Sequence, residues 1–237
     1  MSRRTIACLV YDDMTLLDLV GPLQIIKPLQ MIGDYRVVTV GHRAGEPVGT
    51  DAGLPVVPEL SFDDVPDPWA ILVPGGMLGT MRALVDEELM AWVRRAAAGA
   101  ELVTSVCTGA LILATAGLLE GRKATTHWSY VNVLARFGAH PVRERWVRDG
   151  KVITAAGVSA GIDMALALVA QLTGEPTARM IQLMIEYDPD PPLGPIDWDS
   201  FDPGALDAMA QAAGAARIPE ILAGRPDLLE KLVGGPV

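Results

Sequence analysis

A cysteine, Cys107, stands between two runs of different character, the β-branched LVTSV and the helix-forming ALILATAGLL. A thiol on a sharp strand-to-helix turn projects above the sheet, and the N–H groups of the following helix stabilise a thiolate. We expect this turn, relaxed by Gly109, to lower the pKa of Cys107 below its ordinary value of about 8.5 and to make it a nucleophile. The alternative is a buried structural cysteine, which is what we expect for Cys8 inside the first strand.

Two other segments carry groups suited to assist a thiol. Asp18 is the acid in the apolar segment TLLDLVGP, where burial raises the pKa of a carboxyl group and suits it to proton exchange. Its alternative role is a helix N-cap, which aspartate favours. Gly75 and Gly76 end an apolar run in LVPGG, where their amides allow close approach. They are predicted to bind substrate, and the alternative is a plain turn.

The remaining chemistry-bearing residues predict little. The three histidines, His42, His127 and His140, lack metal-binding spacing, so we expect no metal site. His127 either lines a pocket or is a partly buried structural histidine. No nucleotide-binding glycine motif is present, and no cofactor is expected. The segment GVSAG fits a serine elbow around Ser159, but no histidine follows His140, which disfavours a serine hydrolase.

The elements that would position these residues alternate between strands and helices. Apolar, β-branched runs predict strands at 6–11, 35–40, 70–73 and 102–106. Helices are predicted at 18–31, 86–98, 126–137, 161–172 and 177–187, with one more from Cys107 to Gly121. This alternation predicts a doubly wound α/β fold with a mainly parallel sheet. Such sheets bind ligands at the carboxyl ends of their strands, so the loops at 12–18, 74–76 and Cys107 are expected to meet.

Other segments break this alternation. A β-hairpin is predicted over 142–154, with Arg148, Asp149 and Gly150 at its turn. The Gly- and Pro-rich residues 45–60 are expected to form a hairpin or an irregular arm, and DPDPPLGP at 188–195 to be irregular. No linker separates two folding units. Residues 1–195 are therefore predicted to form one α/β domain, with 196–237 as a partly helical C-terminal extension packed on it.

Composition limits the classes of function. The formal net charge is −10 and Lys and Arg are not clustered, so we expect no binding to nucleic acid. Two cysteines are too few for a disulfide framework, and both are expected to be reduced thiols in a cytoplasmic protein. The uncharged run at 102–119 approaches spanning length, but its change from strand-like to helix-like residues favours two buried elements over a membrane span.

Several of these segments together resemble the DJ-1/PfpI superfamily. The similarity lies in LLDLVGP, LVPGG and SVCTGALILATAGLLEGRKATTHW, and it covers about residues 5–192. The later GVSAGIDMALALVAQLTGE and IEYDPDPP look like its isocyanide hydratase branch. The resemblance implies a flavodoxin-like, three-layer α/β sandwich and a homodimer. It also implies that Cys107 is the nucleophile and Asp18 the acid. Thr108 follows Cys107 where peptidase-like members have a histidine, which puts protease activity in doubt.

The activity implied by the resemblance is hydration of an organic isocyanide, R–NC, to the N-substituted formamide. Cys107 would attack the isocyanide carbon to give a thioimidate, and Asp18 would act as acid and then as base. The amides of Gly76 and Thr108 would stabilise charge, and Trp128 with aliphatic loops would supply an apolar pocket. Two alternatives stay open: a glyoxalase-like enzyme of the same superfamily, and a redox or small-molecule sensor that uses the cysteine. No helix-turn-helix is recognisable near the C-terminus, which disfavours the related transcription factors.

Overall fold

Seven strands form one sheet through the centre of the computed structural model, which describes residues 3–198, 200, 208, 210, 211 and 214–233. The strands, in chain order, are β1 (Arg4–Leu9), β2 (Tyr35–Gly41), β3 (Leu60–Ser61), β4 (Ala70–Val73), β5 (Leu102–Val106), β6 (Lys123–Ala124), β7 (His140–Pro141), β8 (Trp146–Asp149) and β9 (Val152–Ala155). The large sheet has the order β3-β2-β1-β4-β5-β9-β8, and β6 pairs separately with β7.

Helices cover both faces of this sheet, which gives the three-layer α/β sandwich predicted from the sequence. The α-helices are α1 (Leu16–Ile26), α2 (Leu29–Ile32), α3 (Met77–Val85), α4 (Glu87–Gly99), α5 (Gly109–Thr115), α6 (Ala160–Thr173), α7 (Glu175–Met184), α8 (Ile218–Ile221) and α9 (Pro226–Val233). Two 3₁₀ helices span Trp128–Phe137 and Ala215–Arg217. Among the described residues, none of these helices has both the length and the apolar character needed to cross a membrane.

The strand pairing brings three loops together at one edge of the sheet. All neighbours in the large sheet are parallel except β8 and β9, as predicted for a mainly parallel sheet. β1 pairs with β4 and β4 with β5, with Cys8 opposite Leu72 and Leu72 opposite Thr104. Because the three strands run in the same direction, the loops that follow their carboxyl ends lie side by side.

The centre of the sheet is stable because its strands are apolar on both sides. Every residue of β4 and of β5 is buried, as expected for parallel strands covered on both faces. Burying each Val, Leu or Ile side chain contributes about 1.5–3 kcal/mol before the cost of ordering the chain. Trp92 of α4 is also fully buried, and its indole N–H donates to the Val65 carbonyl at 2.9 Å. These aliphatic strands form the rigid base of the loops.

Several helices differ from the prediction. The helix predicted to end at Gly121 ends at Thr115, and the one predicted at 126–137 is a 3₁₀ helix that begins at Trp128. The helix predicted at 18–31 ends at Ile26, and a second short helix follows Pro28, because proline has no N–H to continue the first. The helix at Met77–Val85 was not predicted, and its first turn follows directly on Gly76. By contrast, the predicted helix at 86–98 is confirmed as Glu87–Gly99, with the Asp86 side chain accepting a hydrogen bond from the Leu89 N–H at 3.0 Å.

The predicted β-hairpin exists, but its turn lies later in the chain. β8 begins at Trp146 and includes Arg148 and Asp149, which were predicted to be turn residues. Asp149 lies opposite Val152 in the antiparallel register, so the turn consists of residues 150 and 151. Gly150 has a φ of 62°, a left-handed conformation that a residue without a Cβ adopts at little cost. The glycine, rather than the charged pair before it, therefore sets the turn.

The irregular segments are in their predicted places. Residues 45–60 form an arm held by isolated bridges, between Met14 and Thr50 and between Val48 and Val56, rather than a regular hairpin. Residues 188–195 contain neither helix nor strand. The C-terminal segment contacts the rest of the chain through Lys231, whose carbonyl accepts a hydrogen bond from Arg136 at 2.8 Å. The predicted division at residue 195 stays a prediction, and much of the expected helical segment 203–237 lies outside the described residues.

Candidate active site

Cys107 lies at the turn between β5 and α5 and has the strained backbone expected of an elbow. Its φ is 56°, in the left-handed region that a residue with a side chain rarely adopts. Its N–H donates to the carbonyls of Ala155 and Ala156, at 3.1 and 2.9 Å, which ties the turn to the end of β9. A Cβ atom on Gly109 would lie 2.2 Å from the Val73 carbonyl oxygen, so glycine is required there. The predicted elbow is therefore confirmed as a structural feature.

The sulfur of Cys107 is surrounded by groups from three loops. The backbone amides of Thr108 and Val158 point to it, and the carboxyl group of Asp18 faces it. Only 6% of Cys107 is exposed. Burial and the nearby charge of Asp18 raise the pKa of the thiol, and the two amides only partly offset them. The amide at the helix terminus does lower the pKa of Cys107, as expected, but removal from water outweighs it, so the prediction of a pKa below the ordinary value is wrong.

Asp18 is a buried acid rather than a helix cap. Thr15 is the N-cap residue of α1, and Asp18 lies one turn further along with 0% exposure. Its Oδ2 accepts a hydrogen bond from the Gly75 N–H at 3.0 Å, and its Oδ1 accepts none from the described residues. Burial raises the pKa of Asp18 to about 7, against the lowering effects of the Gly75 amide and the Cys107 thiol. The carboxyl group can therefore gain or lose a proton near neutral pH.

Asp18 and Cys107 titrate as a pair because each lies in the field of the other. The pKa of the thiol is raised by the carboxylate, while the interaction with the thiol lowers the pKa of the carboxyl. A proton gained or lost near neutral pH therefore belongs to the pair rather than to either group alone. A thiol beside a titratable carboxyl can form a thiolate when the proton moves to that carboxyl.

A chain of buried hydroxyl groups holds Thr108 in place. Its hydroxyl lies 2.8 Å from that of Thr80, which lies 3.1 Å from the hydroxyl of Tyr11. Tyr11 donates to the Pro74 carbonyl at 2.9 Å, so the chain is satisfied when Thr108 donates to Thr80 and Thr80 to Tyr11. The Thr108 hydroxyl also accepts from the Gly76 N–H at 3.0 Å. This network locks the elbow to the turn after β4.

Gly75 and Gly76 face the site, but their amides are engaged within the protein. The Gly75 N–H donates to Asp18 and the Gly76 N–H to Thr108. A Cβ on Gly75 would lie 2.6 Å from both the N and the Oγ1 of Thr108, and one on Gly76 would lie 2.7 Å from the Asp13 carbonyl oxygen. In the unliganded structure, the two glycines thus position the acid and the hydroxyl. Their predicted contact with substrate stays a prediction.

Sequence reasoning missed four groups at this site. Tyr11 and Thr80 are ordinary residues of a strand end and of an unpredicted helix, and Val158 contributes only a backbone amide. Tyr130 is half-buried near the sulfur, since a charge on Cys107 adds to the effect of burial in raising the pKa of its phenol. No spacing in the sequence marks these groups, because they come together only through the strand order.

Two of the histidines have polar partners other than Asp18 and Cys107. His127 is half-buried, its Nδ1 lies 2.7 Å from the Ser129 hydroxyl, and burial lowers its pKa. His42 pairs with Asp86 at 2.8 Å. Within the described residues, no three His, Cys, Asp or Glu side chains are grouped in a way that could hold a metal ion. The groups that interact with the sulfur are the Asp18 carboxyl and two backbone amides.

The cysteine lies on a strand-to-helix elbow within a three-layer α/β sandwich, and it faces a buried acid. Together, this fold and this site define the class of the protein. The family model that matches the chain is that of the DJ-1/PfpI family, over residues 4–171. The chain belongs to the DJ-1/PfpI family.

Among its relatives, the chain is 42% identical to isonitrile hydratase from Pseudomonas putida, over 87% of this chain and 85% of that protein. It is also similar to a solved structure of a ThiJ/PfpI family protein from Pseudomonas syringae, with 41% identity and a TM-score of 0.83 over 94% of this chain and 90% of that one. A more distant relative, the HTH-type transcriptional regulator GbdR of Pseudomonas aeruginosa, is 30% identical over 78% of this chain but only 51% of its own length.

Proposed function

We propose that this protein is an isocyanide (isonitrile) hydratase, which adds water to R–NC and releases the N-substituted formamide. The observation that carries the proposal is the pairing of the Cys107 thiol with a buried carboxyl, Asp18, whose pKa is raised to about 7. The high identity to isonitrile hydratase from Pseudomonas putida, over most of both chains, supports the same activity. Isocyanide hydration needs a nucleophile and one proton donor, and the site contains both.

In the first step, the thiol of Cys107 adds across the isocyanide carbon. The sulfur forms a bond to that carbon as the thiol proton passes through Asp18 to the same carbon, which gives the thioimidate Cys–S–CH=N–R. The carboxyl group accepts and returns one proton, so its charge is unchanged at the end of the step. A raised pKa suits Asp18 to this role, because a carboxyl that titrates near neutral pH both accepts and donates readily.

In the second step, water replaces sulfur. Asp18 takes a proton from the water as its oxygen bonds to the thioimidate carbon, and that proton moves to the substrate nitrogen. The hydroxyl proton of the resulting adduct, Cys–S–CH(OH)–NH–R, then passes to the sulfur as the C–S bond breaks, and O=CH–NH–R leaves. The amides of Thr108 and Val158, which point to the sulfur, stabilise negative charge on it when it attacks and when it departs. Gly75 and Gly76 hold Asp18 and the Thr108 hydroxyl in position for both steps.

The burial and the raised pKa of the Cys107 thiol favour a hydratase over a redox sensor. Sensor cysteines are exposed and have low pKa values, whereas Cys107 is buried and the pKa of its thiol is raised. A glyoxalase-like enzyme also uses an activated thiol, but such members generally carry a glutamate where this chain has Asp18, and a methylglyoxal assay separates the two activities. The homodimer predicted from the family resemblance stays a prediction, to be measured by light scattering of the purified protein.

The test is a direct assay with phenyl isocyanide. We expect the wild-type protein to form N-phenylformamide, measured by chromatography, while Cys107→Ala forms none above the uncatalysed rate. Cys8→Ala is the matched control, since it removes the other thiol, and it is expected to retain wild-type turnover. Rapid quenching and mass spectrometry should show a mass increase on the peptide that contains Cys107, equal to one molecule of phenyl isocyanide. Turnover of methylglyoxal but not of any isocyanide would overturn the proposal in favour of the glyoxalase-like enzyme.

A further inference from the structure

A row of aromatic rings leads from the elbow towards solvent. It begins at Thr126, whose hydroxyl donates to the Cys107 carbonyl at 2.7 Å, so the segment that follows starts beside the nucleophile. The next residue, His127, packs against the loop on the other side of the sulfur. A Cβ on Gly157 would lie 3.1 Å from the His127 ring, and Gly157 directly precedes Val158, whose amide points to the sulfur.

The row continues with two tryptophans. The ring centroids of His127 and Trp128 are 5.5 Å apart, and those of Trp128 and Trp198 are 5.9 Å apart with an angle of 55° between the planes. Trp128 is half-buried and Trp198 is 56% exposed, so exposure increases along the row. Tyr130, two residues beyond Trp128, lies close enough to Cys107 to sense its charge. The rings therefore extend from the segment beside the nucleophile to the protein surface.

We propose that Trp128 and Trp198 form a subsite for the substituent of the substrate, and that the substituent is an aryl group or another flat apolar group. This inference rests on the proposed function. The isocyanide group is small and linear. When its carbon is bonded to the buried sulfur, the substituent must therefore extend away from the sulfur towards the protein surface. Indole rings present wide apolar faces to such a group, and aromatic pairs gain about 0.5–1.5 kcal/mol beyond the burial of area.

The subsite also gives a role to the chain after the Pro-rich segment. Trp198 lies beyond DPDPPLGP, outside the α/β domain predicted at 1–195, and yet its ring packs on Trp128 beside the elbow. Gly157 lets the His127 ring pack closely against the loop before Val158, since a Cβ there would lie 3.1 Å from the ring. In this proposal, Trp198 contacts the substituent, while the reaction itself takes place on residues of the domain.

The experiment compares phenyl isocyanide with methyl isocyanide, which has no ring to place on the tryptophans. For Trp198→Ala we expect KM for phenyl isocyanide to rise about 10-fold, with kcat within about threefold of wild type. KM for methyl isocyanide is expected to change less than about twofold, which also shows that the variant is folded. Trp198→Phe should restore most of the affinity for phenyl isocyanide. Trp146→Ala is the matched control, because Trp146 is a partly exposed tryptophan in a different groove, lined by Lys123 and Arg148.

A binding measurement separates failure of the subsite from failure of the hydratase. N-phenylformamide and N-methylformamide are added to Cys107→Ala protein labelled with ¹⁵N, and the indole N–H signals are assigned with tryptophan variants. Shifts of the Trp128 and Trp198 signals with the phenyl compound alone support the subsite, even if wild type hydrates neither isocyanide. Equal changes of KM for both isocyanides in Trp198→Ala, or unshifted indole signals with N-phenylformamide, would overturn it.

Discussion

The two cysteines of this chain are both buried, and burial raises the thiol pKa of both, but their surroundings differ in kind. Cys8 lies inside β1 with 0% exposure, and burial raises its pKa to about 12, with smaller opposing effects of Lys27 and Glu59. Cys107 lies just beyond the end of β5, with a φ of 56°, a carboxyl group in front of its sulfur and two amides pointing to it. Burial is common to both residues, so it does not distinguish the proposed nucleophile from the other thiol.

The difference follows from position along a strand. Cys8 is paired on both sides, opposite Thr39 in β2 and Leu72 in β4, so its backbone is engaged within the sheet. Cys107 follows the last residue of its strand, where the loops after the neighbouring strands converge. Those loops bring a proton acceptor, Asp18, and backbone donors that no residue in the middle of a sheet can reach. A thiol becomes useful here because it is beside polar groups, although it is hardly more exposed.

The largest contrast is expected in alkylation by iodoacetamide. Cys107 should be modified in the native protein, while Cys8 becomes accessible only when the sheet opens. With ordinary domain stabilities, opening of that kind makes Cys8 react slower by about 10⁴-fold or more than the same thiol in the unfolded chain. The rate at Cys107 should rise with pH, since the thiolate reacts and the pKa of the thiol is raised. Mass spectrometry of both peptides over time measures the two rates, and comparable labelling of Cys8 in native protein would contradict the comparison.

The next largest effect is expected from Asp18→Asn. The asparagine oxygen can still accept from the Gly75 N–H, so the fold and the position of the side chain are retained, but the proton acceptor is lost. We expect kcat for isocyanide hydration to fall about 10²–10⁴-fold, the usual contribution of general acid–base catalysis. Asp64→Asn, which changes an exposed carboxylate bonded to Ser61, is the control and should keep wild-type kcat. An active Asp18→Asn protein would assign the acid–base role to another group.

Much of the fold and part of the site could be predicted because they depend on local patterns. The strand at Ala70–Val73 was predicted with its observed bounds from apolar residues ending at Pro74. The elbow was predicted from the change between β-branched and helix-forming residues. The helix at Met77–Val85 was missed because it follows directly on a Pro-Gly-Gly turn and has a glycine, a poor helix former, at its third position. Val158 could not be found at all, since a backbone amide leaves no trace in the sequence until the strand order places it beside the sulfur.

The buried acid should also make stability depend on pH. The pKa of Asp18 rises from 3.8 in the unfolded chain to about 7 in the folded protein, so the folded state holds the proton more tightly. The protonated carboxyl therefore stabilises the folded state fully below about pH 4. The free energy of unfolding then falls as the pH rises through about 7, by at most about 4 kcal/mol. Urea unfolding at pH 5 and pH 8 should show this decline in wild type. The decline should be smaller in Asp18→Asn, and equal pH dependence in the two proteins would contradict the raised pKa.

The smallest effect on activity is expected for two threonines of the same segment, one inside the strand and one at the elbow. Thr104, inside β5, donates to the Ile71 carbonyl at 2.8 Å, whereas Thr108 joins Thr80 to the Gly76 N–H. Valine at either position keeps the shape and removes a buried hydroxyl, which should cost about 1–3 kcal/mol of unfolding free energy in both variants. Only Thr108→Val should also lower kcat, by about 10-fold, since it frees the Gly76 turn that holds the elbow. Equal losses of kcat would mean that the hydroxyl chain supports the fold alone, and a selective loss would tie that chain to the thiol.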